Sequence, residues 1–253
     1  MEGGRSVAME GSLTEYIEAM LRHWIEGMKA ATPAQCAVCR AWPAQPVCEA
    51  CVARFAQPRS RCRTCALPVP SGVGQCGRCL RSPPPLDGCF AAVAYGYPWA
   101  GLVTQFKFGG QPGWAQALAT LMRSTPWVEP ALDEAELVLP MPLSRERLAE
   151  RGFNQSLELA RQLAPAAVCS ELLLRIRHAP AQSGLGRAER LRNVKDAFAL
   201  EPMLADSVRN RCVAIVDDVM TSGASVFAAA TVLRRGGAKK ITALVLARTD
   251  EPD

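Results

Sequence analysis

Arg211–Ser225 reads RCVAIVDDVMTSGAS, and the fold of this chain turns on it. Val213–Val216 is a short apolar run with β-branched residues, the pattern of a strand buried in a parallel sheet. Two carboxylates follow, Asp217 and Asp218, and then a loop of small residues, Thr221, Ser222, Gly223, Ala224 and Ser225. Behind the loop, Val226, Ala230 and Leu233 share one helical face, and Gly236-Gly237 marks a stop. Strand, acidic pair, hydroxyl-rich loop and helix start form one unit. Backbone N–H groups at a helix N-terminus, aided by the macrodipole, hold a phosphate. Thr221, Ser222 and Ser225 add hydroxyl donors, and the glycine allows close backbone approach. The two Asp suit sugar hydroxyls or a Mg²⁺ that carries a polyphosphate.

Val213–Ser225 resembles the phosphoribosyl pyrophosphate (PRPP) motif of type I phosphoribosyltransferases: an apolar run, two acidic residues, two apolar residues, then a Thr/Ser/Gly loop. The resemblance implies that Asp217 and Asp218 hold ribose hydroxyls and that Thr221–Ser225 cradle the 5′-phosphate. It implies an α/β fold, a type I phosphoribosyltransferase-like parallel sheet flanked by helices. The plainer alternative is an ordinary strand–turn–helix with a solvated Asp pair.

Toward the N-terminus, Leu137–Pro142 (LVLPMP) predicts a second strand, followed by SRERLAERGFNQ over Ser144–Gln155. Ligands of open α/β sheets bind outside the carboxyl ends of strands. Arg145, Arg147 and Arg151 there suit a pyrophosphate, because a guanidinium forks onto phosphate oxygens. Arg151 is the favoured phosphate contact; a charged turn paired with Glu146 and Glu150 is the alternative. Cys89–Tyr95 predicts a further strand, Trp99–Phe108 and Trp114–Arg123 predict helices, and Ile241–Leu246 a strand behind the loop helix. The tract Ser183–Gly186 predicts a flap, against a plain surface loop.

Four CxxC pairs precede all of this: Cys36/Cys39, Cys48/Cys51, Cys62/Cys65 and Cys76/Cys79. Each pair offers two thiolates to one tetrahedral ion, so the arithmetic gives two structural Zn²⁺ sites. Large apolar residues are scarce between them, and metal binding would supply the folding free energy, on the order of 10 kcal/mol per site. Sequential pairing gives two zinc ribbons in tandem; interleaved pairing stays open. Cys89, Cys169 and Cys212 lie in apolar surroundings and are expected in the core.

The 253 residues suffice for a buried α/β domain and a smaller module. We expect a disordered start and amphipathic helix over 1–30, a double zinc ribbon over 31–82 and the phosphoribosyltransferase-like domain over 86–253. Ser82-Pro83-Pro84-Pro85 forms a stiff boundary. Leu13, Tyr16, Ile17, Met20, Leu21, Trp24, Ile25 and Met28 make the helical stripe. No apolar run reaches the roughly 18–20 residues of a membrane span. The first residues do not read as a secretory signal, so a cytoplasmic location is expected. A net charge of +5 permits phosphate or nucleic-acid binding without demanding it. Eleven cysteines in a reducing compartment favour metal over disulfides.

The CxxC pairs, FKFGG, LPMPLSRERLAERGFNQSLELA and VAIVDDVMTSGAS together resemble the ComF/GntX family, from about residue 30 to the C-terminus. Gln182, Glu189, Arg190, Asn193 and Phe198 match that family's Q…ER..N…F pattern. The resemblance implies a role in natural competence and DNA uptake, with single-stranded DNA and a competence helicase-type protein as partners. It leaves two alternatives: an active Mg²⁺-dependent phosphoribosyltransferase of unknown acceptor, or a non-catalytic PRPP or nucleotide sensor. Some type I enzymes carry an Asp where Thr221 stands, and this chain has no carboxylate there.

Overall fold

The computed structural model of the chain describes residues 34–42, 44–176 and 196–250. The expected helix over 13–28 and the tract at 183–186 lie outside them. The chain divides into two compact units, residues 1–48 and residues 49–253.

In the first unit the Cys36–Cys39 turn is closed by the Arg40 N–H on the Cys36 carbonyl at 2.9 Å. Arg40 itself takes the left-handed conformation, φ 64°. A bridge between Ala34 and Ala44 holds the ends of the turn together.

The second unit opens with two short helices, α1 (Glu49–Phe55) and α2 (Gly77–Arg81). Strand β1 (Gly88–Ala94) leads to helices α3 (Trp99–Phe108), α4 (Trp114–Arg123) and α5 (Val128–Glu134). Then come β2 (Leu137–Pro140), α6 (Arg145–Arg151), α7 (Gln155–Leu163) and the short strands β3 (Leu173–Arg175) and β4 (Phe198–Leu200). The described chain ends in β5 (Cys212–Met220), α8 (Ala224–Arg235) and β6 (Lys240–Arg248). Helices α3 and α4 have the bounds expected from the sequence.

Four strands form an all-parallel sheet in the order β1-β6-β5-β2, and β3 pairs with β4 antiparallel. The central strands are buried almost end to end, as a parallel sheet covered on both faces requires. From α8, Val226, Ala230 and Leu233 are buried as the helical pattern predicts. Helix α7 packs on β2 and β5.

β2 ends at Pro140, opposite Val216 of β5. β5 continues to Met220, which faces Arg248 at the end of β6. The overhang carries the acidic pair. Asp217 and Asp218 therefore lie within the strand, not after it. Their backbone stays in the ladder with β6, with Asp217 opposite Val245. Arg145–Arg151 forms a helix and not the charged turn of the alternative reading; Ser144 caps it by accepting the Arg147 N–H at 3.4 Å.

Cys62, Cys65, Ala66, Leu67 and Cys79 share one buried cluster with sheet residues such as Cys89, Ile215 and Val245. Chain on either side of Ser82–Pro85 thus contributes to the same core. Cys89 is buried as expected, and burial pushes its thiol up to about 12. Cys169 and Cys212 are only half-buried: Cys169 runs beside the edge strand β2, donating its N–H to the Val138 carbonyl at 3.0 Å, and Cys212 is the first residue of β5.

Candidate functional site

The carboxyl end of the sheet gathers residues from six elements. Asp218 of β5 is buried, and its Oδ1 accepts from the Lys107 ammonium of α3 at 3.0 Å. Asp217 Oδ1 accepts from the Ser156 hydroxyl at 3.1 Å. Burial, with the Asp218 carboxylate beside it, pushes the Asp217 carboxyl up to about 7 against the pull of Lys107 and Ser156.

The RGFNQS stretch builds the facing wall. Asn154 caps α7 by accepting the Ser156 and Leu157 N–H groups, and donates to the Met141 carbonyl at 3.1 Å. That anchors α7 to the end of β2. Gln155 is fully buried; it donates to the Lys107 carbonyl at 3.4 Å and accepts from Arg151 Nη1 at 2.9 Å. The Arg151 guanidinium lies 5.1 Å above the Phe108 ring. Arg151 Nε is buried and has no hydrogen-bond partner. A buried donor left unpaired is costly, so a site where an anion completes it is chemically coherent. Burial and the nearby Arg147 lower the pKa of Arg175, which Asp217 and Glu146 support from the other side.

The loop before α8 is shaped by Gly223, which caps the helix at φ 81°. A Cβ there would come within 2.6 Å of the Met220 side chain and 2.7 Å of the Phe227 ring. The Ser222 hydroxyl is buried and accepts the Ala224 N–H at 3.3 Å. Ser222 thus shapes the loop from within. Thr221 is exposed, and Ser225 half-buried.

The structure brings Asp217, Asp218, Arg151 and the Thr221–Ser225 loop to the same sheet edge. Sequence reasoning missed two residues at this edge. Lys107 stands in the FKFGG stretch, but nothing in its neighbourhood announces a partner in β5. Arg248 ends the apolar strand β6 and is wholly buried, donating to the Met220 carbonyl at 3.0 Å and to the Thr221 carbonyl. A lone charge closing an apolar run is the one signal that could have marked it.

The eight CxxC thiols form two groups, Cys36/Cys39/Cys48/Cys51 and Cys62/Cys65/Cys76/Cys79. In each, the four sulfurs lie within 4.8 Å of one another. The pairing is sequential. Cys39 and Cys48 Sγ are 3.6 Å apart, and Cys65 and Cys76 Sγ 3.7 Å. Four sulfurs at about 2.3 Å from a tetrahedral ion stand about 3.8 Å apart, so both groups fit such an ion. Burial opposes ionisation of Cys36, yet backbone N–H groups of Cys39, Cys48 and Val38 hold it at about 6. Cys62 is likewise held at about 6 against burial by the Thr64 hydroxyl and N–H donors of Cys76 and Thr64. Burial and neighbouring thiols raise Cys65 and Cys79. Each group thus has one thiol whose ionisation nearby hydrogen-bond donors favour, and a bound cation would compensate the charge of the others.

Four-thiol clusters able to hold a metal ion ahead of a parallel α/β domain, with an acidic pair and a capped glycine loop at the sheet's carboxyl edge, define a cysteine-rich α/β protein. Curated relatives refine this. The chain is 35% identical over 214 residues to the "DNA utilization protein YhgH" of Salmonella typhimurium, covering 80% of this chain and 90% of that one. It is 31% identical over 195 residues to "Competence protein F" of Haemophilus influenzae, covering 74% and 84%. "Competence protein ComFC" of Bacillus subtilis matches at 29% over 152 residues, 58% of each chain. The chain belongs to the ComF/GntX family. No family model matches it. A solved allosteric regulatory enzyme of purine biosynthesis aligns with 56% of this chain and 30% of its own, at 15% identity and a TM-score of 0.35, a likeness too loose to carry an argument. No helix among the described residues is long and apolar enough to cross a membrane.

Proposed function

We propose that this protein serves DNA utilization and competence, handling imported single-stranded DNA, and that its sheet edge binds PRPP or a related phosphorylated ribose. One observation carries the pocket: Asp217 and Asp218 overhang β2 directly before a glycine-capped helix start, with Lys107 paired to Asp218 and Arg151 held by Gln155, the neighbour of the Ser156 that bonds Asp217. The 5′-phosphate lies against the N–H groups of Thr221–Ser225. The ribose hydroxyls bond Asp217 and Asp218, displacing Lys107 from Asp218. Lys107 and Arg151 then meet the pyrophosphate, and Arg151 Nε gains its missing acceptor.

Both four-thiol groups hold zinc, whose preference for tetrahedral thiolate sites they match. Asp217 and Asp218 are the carboxylates that would hold a Mg²⁺ bound with PRPP, and the ion would neutralise pyrophosphate charge there. The DNA role is supported by the names of the relatives, and the net charge of +5 is compatible with a phosphate backbone. An oligonucleotide titration tests it: single-stranded DNA should bind at low salt and weaken as salt rises. No binding, together with unchanged DNA uptake in a deletion strain, would sink the DNA role. Release of pyrophosphate with any nucleobase or amine would make the pocket a transferase; binding without release makes it a sensor.

A further inference from the structure

Arg248 is the most enclosed charge among the described residues, with none of its surface exposed. Its guanidinium donates only to oxygens. Nε bonds the Cys65 carbonyl at 2.9 Å, and Nη1 bonds the Met220 carbonyl at 3.0 Å, the Thr221 carbonyl, and the Thr249 carbonyl and hydroxyl at 2.9 and 3.2 Å. No ion pair holds it among the described residues.

These partners come from two different places. Cys65 belongs to the second four-thiol group, so an ion on its thiolate would restrain the backbone that carries its carbonyl. Met220 and Thr221 open the loop before α8. In a trans peptide the N–H points opposite to its carbonyl. Fixing the Met220 and Thr221 carbonyls on one guanidinium therefore turns the Thr221 and Ser222 N–H groups away from Arg248. A divalent ion held by four thiolates also leaves net negative charge near this buried cation. The planar fork of arginine suits a task that one ammonium could not perform.

We propose that Arg248 is a positioning residue that couples metal occupancy of the Cys62/Cys65/Cys76/Cys79 group to the conformation of Thr221–Ser225, and so to that loop's affinity for a phosphorylated ribose. The ligand half rests on the reading of this loop as a phosphate site; the coupling itself does not.

Amide hydrogen exchange on the full chain tests the coupling without ligand, with Val213–Val216 of β5 as the internal reference. In zinc-loaded protein, Arg248→Met should speed exchange at Thr221–Ser225 by about tenfold or more while Val213–Val216 stays protected. Cys76→Ser should do the same, and Cys39→Ser, in the other group, should not. The double variant Arg248→Met/Cys76→Ser should go no further than either single one, the mark of one shared path. Arg248→Lys, which keeps the charge and loses the fork, should behave like Arg248→Met. Loop exchange unchanged in zinc-loaded Arg248→Met overturns the proposal, even if Cys76→Ser fails to fold. Uniform loss across loop and strand, or additive single effects, overturns it as well. PRPP titration of the same proteins separates the two readings. If no protein binds PRPP but the exchange pattern holds, the pocket assignment fails and the coupling stands.

Discussion

Asp217 and Gly223 are the residues whose local physics is most exposed to test. The Asp217 carboxyl is raised from 3.8 to about 7 by burial and by Asp218. Between those values the folded chain keeps a proton that the unfolded chain releases. Stability therefore falls as pH rises through that window, and it is lowest above 7. Asp217→Asn should flatten this slope and raise the melting temperature at pH 8; an unchanged pH profile would contradict the burial argument. Gly223 holds φ 81° against two side chains. Gly223→Ala should cost about 1–2 kcal/mol from the left-handed backbone alone, read by urea denaturation. It should weaken PRPP binding more than its stability loss explains. Both residues were legible in the sequence as a motif. Lys107 was not, because its salt bridge joins α3 to β5 across a long separation. Arg248 was not, because its partners are mostly backbone carbonyls, which no residue type announces.

At the scale of elements, the loop helix and the sheet around it follow from pattern. Val213–Val216 and Ile241–Leu246 are read as buried strands because both faces of the sheet are covered. The sequence stops short at Asp217, since an acidic pair argues for a strand end. The structure carries β5 on to Met220 because β6 still supplies ladder partners there. Helix α6 was hidden by its charge, which has no apolar stripe to give a period, and none of its residues is buried. Asn154 is the hinge of the facing wall: it caps α7 and anchors Met141. Asn154→Ala should cost about 1 kcal/mol in stability. It should also loosen Ser156 from Asp217, seen as a lowered PRPP affinity. Unchanged affinity would place that wall outside the pocket.

At the scale of the whole molecule, the two thiol groups and the parallel sheet are the features around which the chain is ordered. The CxxC spacing made both thiol groups legible from the sequence, and only their pairing needed coordinates. That the second group shares the sheet's core was not legible, because Cys62, Cys65 and Cys79 count as core residues only once folded. Metal analysis of the purified chain should give two zinc ions per chain. Cys62→Ser should lower that count by one and destabilise the second unit, by an amount on the order of 10 kcal/mol at most. A folded variant with both ions would contradict the ligand assignment.

The pocket at the carboxyl edge of the sheet is tested most directly by calorimetric titration of the zinc-loaded chain with PRPP and Mg²⁺, beside the Asp217→Ala/Asp218→Ala variant. The native chain should bind with a dissociation constant on the order of micromolar, at the tight end of the usual span of enzyme KM values, and a variant that still folds should show no measurable binding. Equal affinity in both proteins, or no binding to the native chain at millimolar PRPP, would contradict it.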